Sequence, residues 1–278
     1  MATPWRGVIA EYAERLPVTA ATPVVSLGEG GTPLVRAGHL SELTGCDLRV
    51  PAFATVDLSG EVVHEVVSRG KHLLHRVGDF SIHSHLKMEG SWHLYRPGTA
   101  WRRPAYSARA VLSTEEWTSV GFSLGVLEVV PREEEHTVVG HLGPDLLNAD
   151  WDADLALANL GRDPDVPIYV ALLDQRNLAG LGNEYVNELC FLRGVLPTRP
   201  VSSVDLPAFV ALGHRLINAN KERSIRATTG DLRPGRQTWV YPRAGKPCRR
   251  CGTKILTGKL GPTPLIQRDT FWCPRCQT

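Results

Sequence analysis

From Leu48 to about Val130 the apolar residues fall in short, β-branched runs, EVVHEVVS, KHLLHRVG, SIHSHLKM, ARAVL and LGVLEVV, separated by Gly, Pro and polar turns. Runs this short, bounded by turn-formers, predict antiparallel strands packed as a β-sandwich or barrel. Near Pro144 the texture changes. PDLLNADWDADLALANLG, VPIYVALLDQRNLAG, NEYVNELCFLRG and DLPAFVALGHRLINANKE each end near Gly or at a polar stretch, which predicts four helices in series and a second, all-α domain. Residues 224–247 hold several Gly, Pro and Arg with little periodicity and read as a basic, mobile loop. Ahead of the strands, WRGVIAEYAERLPVT carries Val8, Ile9, Tyr12 and Leu16 at helical spacing and stops at Pro17. The predicted class is α+β and multidomain. It comprises an atypical N-terminal extension 1–46, an antiparallel β-sandwich 47–135, a helical domain 136–223, the basic loop 224–247 and a C-terminal cysteine hairpin 248–278.

Composition narrows the class without changing it. With 42% hydrophobic and 22% charged residues the chain is neither disordered nor collagen-like. No apolar run approaches the ~18 residues of a membrane span, and the N-terminus lacks a basic region followed by an apolar run. The expectation is a cytoplasmic protein with no membrane partner. The formal charge of +2 hides an asymmetry: Lys221 to Thr278 holds 13 Lys and Arg against three acids, net +10, while the other 220 residues carry 18 against 26, net −8. A basic end on an acidic body points to a polyanionic partner met by that end.

Six cysteines are present, and Cys248, Cys251, Cys273 and Cys276 lie in the last 31 residues as two CxxC units with 21 residues between them. Two residues between thiolates let a knuckle aim both at one ion, and two knuckles complete a tetrahedral zinc site. The alternatives are redox pairs or free core thiols. Four protein ligands close the sphere, so a single zinc would be structural. KILTGKL and RDTFWC can pair as the strands of a zinc ribbon. Such a hairpin buries little and holds cations rigidly: Lys254, Lys259, Arg268 and Arg275. Arg268 could fork two phosphate oxygens or be merely solvated.

Five motifs occur in order: SRGKHLL, HLKMEGSW, LGPDLL, LLDQRNLAGLGNEYVNE, and CRRCG with RDTFWCPRCQ. Together they resemble the bacterial formamidopyrimidine-DNA glycosylase and endonuclease VIII family of base-excision repair enzymes, over about residues 48–278. The resemblance implies a β-sandwich joined to a helical domain with a helix-two-turn-helix, here about residues 166–193, and a zinc finger. It implies double-stranded DNA with damaged or abasic sites as partner, a monomer, and a bacterial, nucleoid-associated location. Lys71 matches a lysine facing the damaged nucleotide and its phosphates. Met88 matches a residue pushed into the space left by an extruded base. Asn183 matches the polar side chain after a turn that Gly180 and Gly182 would permit, where a helix N-terminus meets a phosphate; its other reading is a helix cap. The six histidines from His64 to His93, with His83 and His85 on one face, read as polar strand faces.

Family members begin Pro-Glu-Gly, the proline amine being the nucleophile and the glutamate its acid-base partner. This sequence opens Met1-Ala2-Thr3-Pro4-Trp5, without that pair, leaving Lys71 as a supporting catalytic group. Residues 1 to about 46, with PWRGVIAEYAERLPVTAATPVVSLGEGGTPLV, resemble instead the N-terminus of a threonine synthase. The cofactor lysine and phosphate loop of that family have no match, so no pyridoxal phosphate is expected. Two functions compete: a DNA glycosylase and abasic-site lyase for oxidised bases, or a non-catalytic, zinc-dependent binder of damaged or abasic DNA.

Overall fold

The computed structural model describes residues 34–36, 49–51 and 57–278. The chain divides into two compact units, Met1–Val62 and Val63–Thr278. In the first, β1 (Leu34–Arg36) pairs antiparallel with β2 (Arg49–Pro51). The helix expected near residues 5–16, and most of the extension 1–46, lie outside the described residues.

In the second unit the β-branched runs become β3 (Val63–Arg69), β4 (His72–Val77), β5 (Phe80–His85), β6 (Ser91–Tyr95), β7 (Ala108–Ser113), β8 (Thr118–Phe122) and β9 (Val126–Pro131). They form two antiparallel sheets, ordered β3-β4-β5-β9 and β6-β8-β7. The sheets meet where the Trp92 indole N–H on β6 donates to Ser84 Oγ on β5 at 3.1 Å and the Trp92 ring lies 4.6 Å from that of His75 on β4. His75 is directly opposite Ile82 in the ladder, so His75, Val77, Ile82 and Ser84 share this inner face. The opposite face of the four-stranded sheet carries His72, Leu74, Arg76, Ser81, His83, His85 and Glu128.

The helical texture resolves into α1 (Glu135–Val139), α2 (Ala153–Leu160), α3 (Ile168–Leu173), α4 (Asn183–Arg193) and α5 (Leu206–Asn220). Two helices are shorter than the pattern predicted, for local reasons. Asp152 caps α2 by accepting from the Leu155 N–H at 2.9 Å, so the preceding PDLLNADW stays non-helical. Asp174 folds back on the Arg176 N–H at 3.0 Å, which turns the chain at DQRN and ends α3.

Helix α4 is buried from Tyr185 through Phe191 without a break, including Asn187 and Glu188. A run buried all round belongs to a helix packed on both sides. One side meets the core of the helices, with Ile168, Tyr169, Leu172, Leu181 and Phe209. The other meets a smaller core of Val240, Cys248, Ile255, Phe271 and Cys273, under the antiparallel hairpin β10 (Leu256–Thr263) and β11 (Ile266–Trp272). The segment 224–247 is irregular but not the mobile loop expected. Both oxygens of Glu188 accept from it: Oε1 from the Val240 and Tyr241 N–H groups at 2.8 and 2.9 Å, Oε2 from the Trp239 N–H at 2.7 Å and the Thr228 hydroxyl. Among the described residues no helix is long and apolar enough to cross a membrane.

Candidate nucleic-acid interface

A cleft of about 1450 Å³ runs between the β-strands and the helices, and Lys71, Lys87, Met88, Asn183 and Arg268 all line it. Lys71 enters from the turn joining β3 to β4. That turn is clamped from far along the chain: Asp145, in LGPDLL, accepts the Gly70 N–H at 2.7 Å and its own Leu147 N–H at 3.0 Å. The lysine reaches across to the turn before α4, where a β-carbon at Gly182 would stand 3.6 Å from its Nζ. Its side chain is open to the cleft, yet the enclosing walls, then Arg268 and Lys87, lower its pKa to about 8. A lysine whose proton affinity is lowered by cations beside it marks a site that awaits an anion.

Met88 is 87% exposed, which excludes the core-filler reading. It stands at the tip of a tight turn closed by the Gly90 N–H on the Leu86 carbonyl at 2.9 Å. Beside it Lys87 has φ of 54° and packs on Gly125, where a β-carbon would come within 2.2 Å of Lys87 Cγ. The turn that carries Met88 therefore depends on a glycine across the sheet.

The turn before α4 needs Gly180, whose φ is 112°. Gly182 has extended backbone that any residue adopts, so conformation does not require glycine there. Gly182 also occupies the cap position of α4, with no side chain capping it, so Asn183 is not a cap. The Asn183 amide instead bridges to the hairpin: Nδ2 donates to the Asp269 carbonyl at 3.0 Å, while Oδ1 accepts from the Tyr169 hydroxyl at 2.5 Å and from Asn187 Nδ2 at 3.0 Å. Burial pushes the Tyr169 phenol up to about 12, which keeps it a donor. Asn187 Oδ1 in turn accepts the Phe271 N–H at 2.7 Å. The helix N-terminus and Arg268 on β11 are thus fastened together, and among the described residues no carboxylate pairs with Arg268.

At the far end of the hairpin the four cysteines gather, with all four sulfurs within 4.8 Å of one another. Cys248 and Cys276 sulfurs are 4.0 Å apart, and Cys251 and Cys273 sulfurs 3.4 Å. A tetrahedral ion with metal–sulfur bonds of ~2.3 Å needs sulfurs about 3.8 Å apart, so the donor set fits one metal. Hydrogen bonds from Thr253 hold Cys251 down at about 6, whereas burial and neighbouring thiols push Cys276 up to about 12.

The sequence reading gave no individual role to Lys87, Asp145, Tyr169 or His141, and it took His72, His83 and His85 as polar strand faces and not as a cluster. Of these only the alternation His83-Ser84-His85 signalled a shared face; the rest depends on contacts distant in sequence.

Two family models match this chain: the formamidopyrimidine-DNA glycosylase N-terminal domain over residues 39–124 and the formamidopyrimidine-DNA glycosylase H2TH domain over residues 142–232. The chain belongs to the formamidopyrimidine-DNA glycosylase and endonuclease VIII family. It is 53% identical over 237 residues to the DNA-(apurinic or apyrimidinic site) lyase Nei2 of Mycolicibacterium smegmatis, covering 85% of this chain and 90% of that protein. It is 50% identical over 242 residues to the probable endonuclease 8 2 of Streptomyces coelicolor, covering 84% and 86%. Among solved structures it resembles MutM in complex with DNA containing carbocyclic 8-oxo-G, at TM-score 0.63 and 26% identity, covering 80% of this chain and 84% of that one. Lactococcus lactis Fpg with abasic-site DNA matches at TM-score 0.63 and 25% identity, with the same coverage. The glycosylase match begins at residue 39, inside the extension 1–46. A threonine synthase likeness for that extension is not supported.

Proposed function

We propose that this chain is a base-excision DNA repair protein of the glycosylase and abasic-site lyase kind, acting on duplex DNA that carries an oxidised base or an abasic site. The observation that carries this reading is the convergence of Lys71, Met88, Asn183 and Arg268 on one cleft. Lys71 and Arg268 neutralise phosphates flanking the lesion, joined by the N–H groups that open α4. Met88 enters the gap left in the stack, which offsets part of the unstacking cost of extruding the nucleotide into the cleft. One structural zinc on Cys248, Cys251, Cys273 and Cys276 holds the hairpin that carries Arg268. The bacterial relatives support a cytoplasmic site of action on the nucleoid.

The test is binding and borohydride trapping on matched duplexes, one intact and one with a natural abasic site. Preference for the abasic duplex, weakened by Lys71→Met and by Arg268→Ala, is the expected result. A trapped adduct then assigns the lyase, and tight binding without an adduct assigns the non-catalytic binder. Equal affinity for intact and abasic duplex would overturn the proposal.

A further inference from the structure

On the outer face of the four-stranded sheet a line of side chains runs from half-exposed Glu128 to His72, whose ring packs against His85 and His141, two residues that line the cleft. Glu128 Oε1 lies 2.7 Å from His83 Nδ1, and His83 Nε2 lies 2.7 Å from His72 Nδ1. The His72 and His83 rings are 17° from parallel with centroids 4.9 Å apart. With nitrogens at hydrogen-bond distance, that is an edge-to-edge, in-plane contact. The tautomers follow from the donors at hand. A carboxylate only accepts, so His83 carries its proton on Nδ1 and offers the Nε2 lone pair. His72 must then donate from Nδ1, leaving its own Nε2 as an open acceptor.

The neighbouring imidazoles differ. His85, edge-on to His72 at 4.9 Å, accepts the Lys87 N–H on its Nδ1 at 2.9 Å, and a proton there would break that bond. His141, at 5.9 Å, is exposed and makes no comparable bond among the described residues. His83 is 3% exposed with both nitrogens engaged. Only His72 combines an open nitrogen with a hydrogen-bonded partner behind it to share a positive charge.

We propose that Glu128, His83 and His72 form a hydrogen-bonded relay that shares the charge of one proton taken from solvent onto His72 Nε2 when a phosphodiester enters the cleft, so that DNA binding is coupled to proton uptake. The proposal rests on the nucleic-acid reading above. Among the described residues, the groups facing His72 are His83 and His85 on β5, Lys87 in the turn after β5, His141 after α1 and Lys71 in the adjoining turn, with Glu128 on β9 behind His83. Burial first, then the neighbouring imidazoles of His83, His85 and His141 and the Lys87 cation, hold His72 down at about 4, so the free protein carries it neutral at pH 7. A phosphate leaves the burial in place but opposes the repulsion from the neighbouring cations, and in that way raises the proton affinity. A group whose pKa rises in the complex takes up a proton on binding. Affinity therefore increases as pH falls from the complexed pKa toward about 4.

The experiment is calorimetric titration of the full-length protein with a duplex carrying a tetrahydrofuran abasic analogue, at pH 6, in two buffers of different ionisation enthalpy. Wild type should take up up to about one proton more than His72→Phe, and its log K should fall more steeply between pH 5 and 7. Glu128→Gln should reduce the uptake, and His141→Gln should keep it. Zero uptake in a wild type that binds the duplex overturns the relay, as does uptake lost in His141→Gln and kept in His72→Phe. A wild type that binds no DNA sinks the nucleic-acid reading instead. Ring-nitrogen NMR of the free protein then decides, as it also does where His72→Phe does not fold: Nδ1–H tautomers at both His72 and His83 support the relay, and an Nε2–H tautomer at either overturns it.

Discussion

Lys71 shows how far a residue's chemistry can depart from its type. A solvated lysine has a pKa near 10.4 and is almost wholly charged at neutral pH. In the cleft, enclosure and the nearby Arg268 and Lys87 bring it to about 8, so the neutral amine becomes substantial as pH rises through that value. Below it the cation is available to a phosphate. Limited reductive methylation at pH 8 should therefore modify Lys71 ahead of the other lysines, as read by peptide mass spectrometry. Duplex DNA should suppress that modification, because a phosphate stabilises the cation and covers it. Equal modification of all lysines would show that the cleft does not perturb this amine.

At the scale of elements, α4 and the hairpin act as one piece because Glu188 and Asn187 fill both sides of the joint. Burial raises the Glu188 pKa, but hydrogen bonds from Thr228, Trp239, Tyr241 and Val240 oppose that shift, and donors on both oxygens favour the ionised form. Glu188→Ala would leave three backbone N–H groups and a hydroxyl without their acceptor. The expected cost is about 3 kcal/mol or more, measured by denaturant unfolding, with faster hydrogen exchange over 228–241. Metal loading is expected to reinforce the joint from the other end. One zinc per chain is expected by metal analysis, and Cys273→Ala should lose it and loosen the hairpin. Because Cys276 sits near 12, loading must displace its proton, so zinc affinity should fall as pH falls.

For the whole molecule the asymmetry of charge predicts the behaviour toward DNA. Of the 13 cations carried from Lys221 to Thr278, Lys221, Arg223, Arg226 and Arg268 line the cleft together with Lys71 and Lys87 from the strand turns. Binding should be steep in salt, since each phosphate contact releases condensed counterions. Arg268→Ala should weaken binding at every sequence and reduce the slope of log K against log salt by about one. A flat salt dependence would mean that these cations do not meet phosphates.

Much of this was legible in the chain itself. Strand and helix periodicity announced a β layer followed by helices, because burial on one face repeats every two or about 3.6 residues whatever the partner. The CxxC pairs announced a metal site, since both ligands of a knuckle are local. Lys71, Met88, Asn183 and Arg268 were reachable through motifs. What those motifs omit is mutual: Asp145 clamping Gly70 across 75 residues, Asn183 bound to Asp269 rather than capping α4, Glu188 ordering a segment whose composition suggested mobility, and His72 reaching Glu128 through His83. Periodicity and local spacing report what a residue does to its own element. Hydrogen-bond partners, tautomers and proton affinities are set by groups that only the folded chain brings within 3 Å, and for these the tertiary structure decides.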